Sequence, residues 1–340
     1  MARGGMTGAA RAAVAGDAVA PTAMELTLAA PLHRRMLAWA DERFPLAGTA
    51  AMLLALYLAA LVYGRALAHE GSIELSPGDL GAFFAVWGFF LMIRVLDEHK
   101  DYERDRVAHP DRVLQRGLVT LGQLRVLGAA AAAVQLAVSL LADGGVGPVT
   151  LWWLALIGFV ALTAKEFFAG EWLDRRLLLY VLAHLPLWSL AVTWMVQMGA
   201  RPSSLPASAA WAAVLGFLLP WGADLARRIA PAGLQGPGAT SYADSLGAGW
   251  AAALLGGTLI GGAAAAAAML RPAGEHSIVA EAVLGTLLVP LVAALWRFRR
   301  DPHDRSANRM LQATARVVLL AELLVVVVVL LADRGLAWAA

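Results

Sequence analysis

The sequence of 340 residues contains no cysteine, few charged residues and, among its 27 basic residues, only the lysines Lys100 and Lys165. Without cysteine the chain has no disulfide bond, no thiolate metal site and no cysteine nucleophile. Charged residues make up 15% of the chain, whereas hydrophobic residues make up 60% and mean hydropathy is +0.66. A soluble core of this size does not need so much apolar surface, so we expect an integral membrane protein. The net charge of +2 gives no indication of nucleic-acid binding.

Several apolar stretches reach about 20 residues, the length that a helix needs to cross a bilayer. We therefore predict an all-α, polytopic membrane protein with nine transmembrane helices, at residues 46–68, 79–96, 121–142, 149–168, 177–198, 207–226, 245–269, 278–296 and 314–332. Residues 1–30 are rich in Ala and Gly and have no sustained apolar run. This composition indicates a disordered tail before a transmembrane domain of residues 31–340.

The basic residues are distributed unequally between the two sides of these helices. Only four of the 27 fall on one side, namely Arg65, Arg201, Arg271 and Arg334. Because Lys and Arg collect in cytoplasmic loops, we predict a cytoplasmic N-terminus and an external C-terminus, in a membrane such as the bacterial inner membrane. The loops after the second, fourth and sixth helices then face the cytoplasm together, where they would form a polar cap over an apolar chamber.

The most distinctive of these loops is a charged block at residues 96–120, LDEHKDYERDRVAHPDRVLQRGLVT. If the preceding helix continues through it, Asp97, Asp101 and Asp105 form a carboxylate stripe with Glu98 beside it. Like charges at this spacing repel each other unless a cation is bound to them. Mg²⁺ fits such a stripe because it is usually held by one or two carboxylates together with phosphate oxygens.

The alternative interpretation is a solvated, salt-bridged segment. Four basic residues are interleaved with the carboxylates: Arg94, Lys100, Arg104 and Arg106. Such a charge run would need no metal ion.

Two further loops carry candidate residues. Lys165 ends the fourth apolar stretch, and its compact ammonium group suits a phosphate, although a lysine that snorkels to the membrane surface would occupy the same position. Asp224 ends the sixth stretch and Arg228 follows one turn later. Ser241 and Tyr242 begin the next helix, where free N–H groups and hydroxyls suit an anion; a helix-capping loop would have the same composition.

Two ionisable residues lie within or near the apolar stretches, His184 and Glu322. Ionisable groups in a membrane are candidates for function by default. For His184 the alternative is a structural hydrogen bond. For Glu322 the alternatives are contact with lipid headgroups and pairing with a basic neighbour.

The charged block resembles the first aspartate-rich motif, NDxxDxxxD, of the UbiA superfamily of intramembrane prenyltransferases. Asp97 stands at the Asn position, and Glu98, Asp101 and Asp105 stand at the acidic positions. The following HPDRVLQRGLVT is similar to the family's KPDRPIPSGRIS, which aligns Arg112 with the loop arginine of the family.

Two other segments share this resemblance. Lys165 matches the lysine of the family's YxxxKR segment, although Glu166 replaces the arginine. Asp224 matches the start of the second motif, DxxxD, and GATSYADSLG resembles the GxxTxxxxLG that follows. Arg228 stands where the family has the second carboxylate of DxxxD.

The resemblance implies a UbiA-like bundle that ionises an allylic prenyl diphosphate with the help of Mg²⁺ and transfers the prenyl group to an aromatic or lipid acceptor. Metal ligands would be Asp97, Glu98, Asp101, Asp105 and Asp224. Diphosphate ligands would be Arg112, Lys165, Arg228, Ser241 and Tyr242. Catalysis would depend on Asp101, Asp105 and Lys165.

Two other functions remain open at this point. A terpene cyclase of the same superfamily would ionise the same substrate without an acceptor. A divalent-cation permease would instead use the acidic residues for transport, but it would need carboxylates near the middle of the bilayer on several helices.

The predicted topology can be tested with single cysteines, since the chain has none of its own. We expect cysteines introduced at Ala108 and Ala239 to react with an impermeant thiol reagent only when the cytoplasmic side is exposed. Labelling of either position from outside intact cells would contradict the predicted cap.

Overall fold

The computed structural model of the protein describes residues 26–201, 203–235 and 240–339. Residues 1–25 of the predicted tail and Ala239 therefore lie outside the described residues. The α-helices, in chain order, are α1 Leu32–Arg43, α2 Leu46–Ala68, α3 Pro77–Ala108, α4 Leu121–Asp143, α5 Pro148–Ala164, α6 Gly170–Asp174, α7 Leu177–His184, α8 Pro186–Ala200, α9 Ala210–Arg228, α10 Tyr242–Leu246, α11 Ala248–Leu270, α12 Glu275–Arg300 and α13 Arg305–Arg334. Short 3₁₀ turns lie at Glu166–Phe168, Ala207–Ala209, Ala232–Leu234 and Arg271–Ala273.

The predicted all-α architecture is confirmed. In the described part of the chain, eight helical segments are long and apolar enough to cross a membrane, and α5 is a further apolar helix of 17 residues. The predicted stretch 149–168 therefore ends earlier than expected, at Ala164. The stretch 177–198 is divided into α7 and α8, because Pro186 has no N–H with which to continue the hydrogen bonds of α7. The expected number of nine is thus approximate.

A small parallel sheet of two strands lies at one end of the bundle. Strand β1, Ile73–Leu75, precedes α3, and strand β2, Leu336–Trp338, follows α13. Ile73 pairs with Leu336, and Leu75 pairs with Trp338. The pairing holds the end of the last helix beside the start of α3, on the side opposite to the charged block.

Helix α3 is the longest helix of the structure, with 32 residues. Pro77 occupies its first turn, where a missing N–H costs nothing, and the Asp79 carboxylate accepts a hydrogen bond of 2.7 Å from the Ser76 N–H. Asp79 also pairs with Arg65 of α2 at 2.7 Å. The helix crosses the apolar core and continues without a break to Ala108, so the charged block from Asp97 to Asp105 is helical as predicted.

Glu322 of α13 is fully buried, at 0% exposure, so it does not face lipid headgroups. Within the described residues neither of its carboxylate oxygens has a hydrogen-bond partner. The facing residue on α11 is Gly262, where a Cβ atom would overlap the carboxylate. The predicted pairing of Glu322 with a basic neighbour is therefore not seen in this part of the chain.

Helices α2 and α8 approach each other closely at two glycines. A Cβ atom on Gly64 of α2 would overlap the carbonyl oxygen of Val196, and a Cβ atom on Gly199 of α8 would overlap the carbonyl oxygen of Leu61. Each glycine thus faces the backbone of the other helix. Small residues at such contacts let membrane helices approach closely enough for dense packing.

We expect Gly64→Ala and Gly199→Ala each to lower the free energy of unfolding by about 1–3 kcal/mol, because backbone atoms cannot move aside as a flexible side chain does. Thermal denaturation in detergent measures the change. The matched control is Gly257→Ala in α11, where an added Cβ meets nothing within 4 Å. Equal melting temperatures for all three variants would contradict the close contact.

Candidate active site at the polar end of helix α3

The charged end of α3 presents two different faces. Asp97 and Asp101 lie one turn apart and line an open pocket. Glu98 and Asp105 lie on a neighbouring face that is directed into the protein, with exposures of 1% and 8%. The four carboxylates that the sequence groups into one motif therefore have two kinds of surroundings.

The buried pair is neutralised by arginines. Glu98 accepts from Arg43 Nε at 2.6 Å and from Arg94 Nη2 at 2.7 Å. Asp105 accepts from Arg112 Nη1 at 2.6 Å and from Arg43 Nη2 at 3.2 Å. Arg43 thereby joins α1 to two positions of α3 that lie two turns apart. These contacts leave Glu98 and Asp105 compensated without a metal ion in the structure described here.

Arg112, predicted to bind diphosphate, is also part of this network. Besides Asp105 it lies 3.7 Å from a carboxylate oxygen of Glu42. Glu42 in turn accepts a hydrogen bond of 3.0 Å from the backbone N–H of Val113. Arg112 therefore fixes the loop after α3 onto α1 and has its charge already paired.

The pocket next to this network has a volume of about 530 Å³. Helix α3, the end of α5, the following 3₁₀ turn and α7 form its walls. The lining residues are Asp97, Lys100, Asp101, Arg104, Ala164, Lys165, Glu166 and Tyr180. Six of these eight side chains are charged, three of each sign.

The charged side chains of the pocket differ in how firmly they are paired. Asp101 pairs with Arg104 at 2.8 Å, but Arg104 is 74% exposed, so this contact is weakly held. Asp97 is 48% exposed and lies 3.8 Å from Arg94. Lys100 contacts Glu166 and also donates to the Tyr180 hydroxyl at 2.9 Å. The side chain of Lys165 has no hydrogen bond or ion pair among the described residues, which leaves its ammonium group available to an anion.

Asp97 and Asp101 are a pair of carboxylates that could bind a Mg²⁺ ion whose other ligands come from water and substrate. Among the described residues no three His, Asp or Glu side chains are grouped so that they could hold a metal ion. Mg²⁺ is nevertheless usually bound by one or two carboxylates, and water and substrate phosphate oxygens complete its octahedron. Two partly exposed carboxylates one turn apart, beside a lysine with an unpaired side chain, fit a metal ion that is bound together with a phosphate.

The residues predicted from the second motif form a separate cluster. Arg228 contacts Asp224, and Tyr242 donates to Asp224 Oδ2 at 2.8 Å. Arg228 Nη1 also donates to the Thr240 hydroxyl at 3.1 Å. Burial and the neighbouring Asp224 carboxylate raise the pKa of the Tyr242 hydroxyl, so it stays protonated and acts as a donor. Arg228 therefore supplies internal compensation for Asp224.

Ser241 lies at the start of a short helix, as the sequence indicates, and it has the capping role that was the alternative to anion binding. Its hydroxyl accepts a hydrogen bond of 3.1 Å from the backbone N–H of Asp244, so it caps the short helix α10. Gly247, with φ of +82°, separates α10 from α11. Ser241 is 3% exposed, and its hydroxyl acts as a cap in the structure.

Helix α7 lies between the two clusters. Tyr180 lines the pocket that contains Asp101, whereas the start of α7 lines a second pocket of about 380 Å³ that contains Tyr242. The structure thus brings Asp97, Asp101 and Lys165 together. Tyr242, which contacts Asp224 and Arg228, lines the neighbouring pocket.

Some residues of the site were not recognised from the sequence. Arg43 is an ordinary arginine in a polar segment, and no local pattern marks it as the partner of Glu98. Tyr180 lies in an apolar stretch that reads as membrane-spanning. Lys100 and Lys165 are the two lysines of the chain, and the structure places both at the same pocket.

No family model matches the sequence, and no curated protein matches it. Solved structures are similar to it. A structure of a digeranylgeranylglyceryl phosphate synthase in membranes has a TM-score of 0.61 at 14% identity, over 88% of this chain and 99% of that chain. The apo structure of a UbiA homolog from Aeropyrum pernix K1 has a TM-score of 0.54 at 18% identity, over 80% of this chain and 97% of that chain. At these identities the similarity establishes the fold, and it confirms the expected UbiA-like bundle.

The network around Arg43 generates a stability prediction. We expect Arg43→Ala to lower the free energy of unfolding by about 1.5–3 kcal/mol, because it removes charge-assisted bonds to two buried carboxylates. The control is Arg106→Ala, which breaks a pair with Glu103 whose members are 63% and 75% exposed and which contributes about 0.2–1 kcal/mol. Thermal denaturation of both variants measures the difference. Equal effects would show that Arg43 does not anchor α3.

Proposed function

We propose that this chain, which has the fold of the UbiA homolog, is a Mg²⁺-dependent intramembrane prenyltransferase. Its substrate would be an allylic prenyl diphosphate, and the prenyl group would pass to an aromatic or lipid acceptor. The observation that carries the proposal is the pocket at the polar end of α3, where two partly exposed carboxylates and the unpaired Lys165 lie together at one end of an apolar bundle.

The charges of the pocket fit a diphosphate. Asp97 and Asp101 are the residues that would hold Mg²⁺, which when bound would neutralise charge that develops on the leaving diphosphate. Lys165 would contact the phosphate oxygens directly. Arg104 is exposed and weakly held, so it can turn from Asp101 towards an anion.

The apolar part of the bundle would hold the isoprenoid chain of the substrate. Ionisation of an allylic diphosphate separates a carbocation from its leaving group, and water would trap that cation. An isoprenoid chain among apolar helices is kept away from water, while the diphosphate stays at the polar end. A fold with its candidate metal and diphosphate ligands at one end of a membrane bundle suits this separation.

The other predicted residues would support the site or act only after a rearrangement. Glu98, Asp105 and Arg112 hold the end of α3 in place through their ion pairs. Asp224 would bind a second metal ion only after Arg228 leaves it. Arg228 would then be free to bind phosphate, which it can do with two parallel hydrogen bonds.

The proposal includes an orientation. The pocket would face the cytoplasm, with the N-terminus inside and the C-terminus outside, in a membrane such as the bacterial inner membrane. The unequal distribution of basic residues supports this arrangement. The lipid bilayer is then the surroundings of the chain and the source of a lipid acceptor.

Product analysis tests the reaction class. Purified protein in detergent or nanodiscs is incubated with labelled allylic diphosphates, with Mg²⁺ or EDTA, and with or without aromatic and lipid acceptors. Prenylated acceptor that forms only with Mg²⁺ supports the proposal. A cyclic hydrocarbon or alcohol without acceptor would identify a terpene cyclase. Metal uptake into proteoliposomes without any turnover of diphosphate would identify a permease.

The carboxylates of the pocket provide the sharpest test. We expect Asp97→Asn and Asp101→Asn each to lower Mg²⁺-dependent turnover by on the order of a hundredfold or more, because each removes one of two metal ligands. Both residues are partly exposed, so the melting temperature should change little. The control is Glu103→Gln on the same helix, which lies outside the pocket. Wild-type turnover in both Asn variants would show that the stripe is only a solvated surface.

A further inference from the structure

We infer that Lys100 is a further diphosphate-binding residue and that Glu166 occupies it until substrate arrives. The inference rests on the proposed function. It extends that function by a residue which the motif does not include, and by a contact that regulates access to the pocket.

The first observation is the arrangement around Lys100. Its ammonium group contacts a carboxylate oxygen of Glu166, donates to Tyr180 Oη at 2.9 Å and lies 5.3 Å from the centre of the Tyr180 ring. The three residues come from α3, from the turn after α5 and from α7, so the contact closes one side of the pocket. The side chains of Lys100 and Glu166 are 28% and 22% exposed, so an incoming anion can reach them.

The second observation is the turn that carries Glu166. Glu166, Phe167 and Phe168 have φ angles of +47°, +53° and +58°, a left-handed conformation that costs energy for residues other than glycine. Gly170 leaves the space for the carboxylate, since a Cβ atom there would overlap Glu166 Oε2.

Aromatic contacts hold this strained turn in place. Phe167 packs edge-on against His184 at 5.4 Å between ring centres and against Phe159 at 5.7 Å. His184 in turn stacks on Tyr180 at 4.3 Å. Aromatic packing therefore defines the position of Glu166 opposite Lys100. An incidental ion pair on the surface would not need such packing.

The third observation is the charge balance of the pocket. Asp97, Asp101 and Glu166 offset Lys100, Arg104 and Lys165, so the pocket has no net positive charge for a diphosphate. Lys100 lies next to Asp101 in sequence and one turn from Asp97, within reach of a phosphate held at those carboxylates. Movement of Glu166 away from Lys100 would free a second ammonium group beside Lys165 and remove a carboxylate that repels the substrate.

Charge reversal separates this inference from a purely structural ion pair. In the double variant Lys100→Glu with Glu166→Lys the pair is rebuilt in the opposite direction. A structural pair would regain both stability and ligand binding. A diphosphate-binding Lys100 would regain stability only, because position 100 would then carry a carboxylate next to Asp101.

The experiment uses the full-length protein in detergent, with inorganic pyrophosphate and Mg²⁺ as the probe in isothermal titration calorimetry. Four variants are compared with the wild type: Lys100→Gln, Glu166→Gln, the charge-reversed double variant and the control Arg106→Gln, which changes a cation outside the pocket. Melting temperatures are measured in parallel.

We expect Lys100→Gln to weaken pyrophosphate binding by about tenfold and Glu166→Gln to strengthen it by about threefold to tenfold. The double variant should melt near the wild type and bind at least tenfold more weakly, and the control should match the wild type in both measurements. Wild-type affinity in Lys100→Gln and Glu166→Gln, or full recovery of affinity in the double variant, would overturn the inference. If the double variant does not fold, the two single variants decide the question.

Different results would contradict the proposed function and the inference about Lys100 and Glu166. A wild-type protein that neither binds pyrophosphate nor turns over any allylic diphosphate would contradict the prenyltransferase. A wild-type protein that binds and reacts, with variants that behave like it, would contradict only the role of Lys100 and Glu166.

Discussion

A buried carboxylate must be compensated, and the pairing of Glu98 with Arg43 and Arg94 is the interaction on which the polar end of this bundle depends. Glu98 is 1% exposed, so an unpaired charge there would cost several kcal/mol. Arg43 reaches it from α1 and also contacts Asp105 two turns further along α3. The contact fixes the rotation of α3 about its axis, and this rotation turns Asp97 and Asp101 towards the pocket.

The division of the acidic residues follows from helix geometry. Positions four apart lie on one face but drift around the axis, whereas positions seven apart return almost to the same direction. Asp101 therefore follows Asp97, and Asp105 falls nearer to Glu98. One pair faces arginines and the other faces a pocket with Lys165. A single motif can thus supply both the support of a site and the site itself.

The two lysines of the chain also differ from each other in their pairing. Lys165 is unpaired among the described residues, and Lys100 is held by Glu166 and Tyr180. A lysine has a compact charge on a flexible stem, which suits exchange between a protein carboxylate and a phosphate, whereas the paired arginines have planar groups that fix geometry. The arginines accordingly anchor α3 and the lysines line the pocket.

The sequence by itself determined the architecture and the end of the bundle at which the candidate site lies. Apolar stretches of about 20 residues impose membrane-spanning helices, since backbone groups in hydrocarbon must be hydrogen-bonded internally. The charged block at residues 96–120 stands out against this background, and helical spacing alone predicts Asp97, Asp101 and Asp105 on one stripe. In the structure Asp97 and Asp101 line one pocket, whereas Asp105 pairs with arginines instead. Pro186 also indicates the division of residues 177–200 into two helices, whereas we predicted a single helix at 177–198.

Tertiary structure alone decided which charged residues are free and which are paired. Arg43 and Glu98 are 55 positions apart, and Lys100 and Glu166 are 66 positions apart, so no local period connects them. Their meeting depends on how α1, α3 and the turn after α5 pack, which includes close backbone contacts such as the one between Gly64 and Gly199. The strained turn at Glu166 is likewise held by aromatic rings from α5 and α7. The sequence lists the charges, but packing brings distant residues together and thereby determines which charges cancel and which remain to bind a ligand.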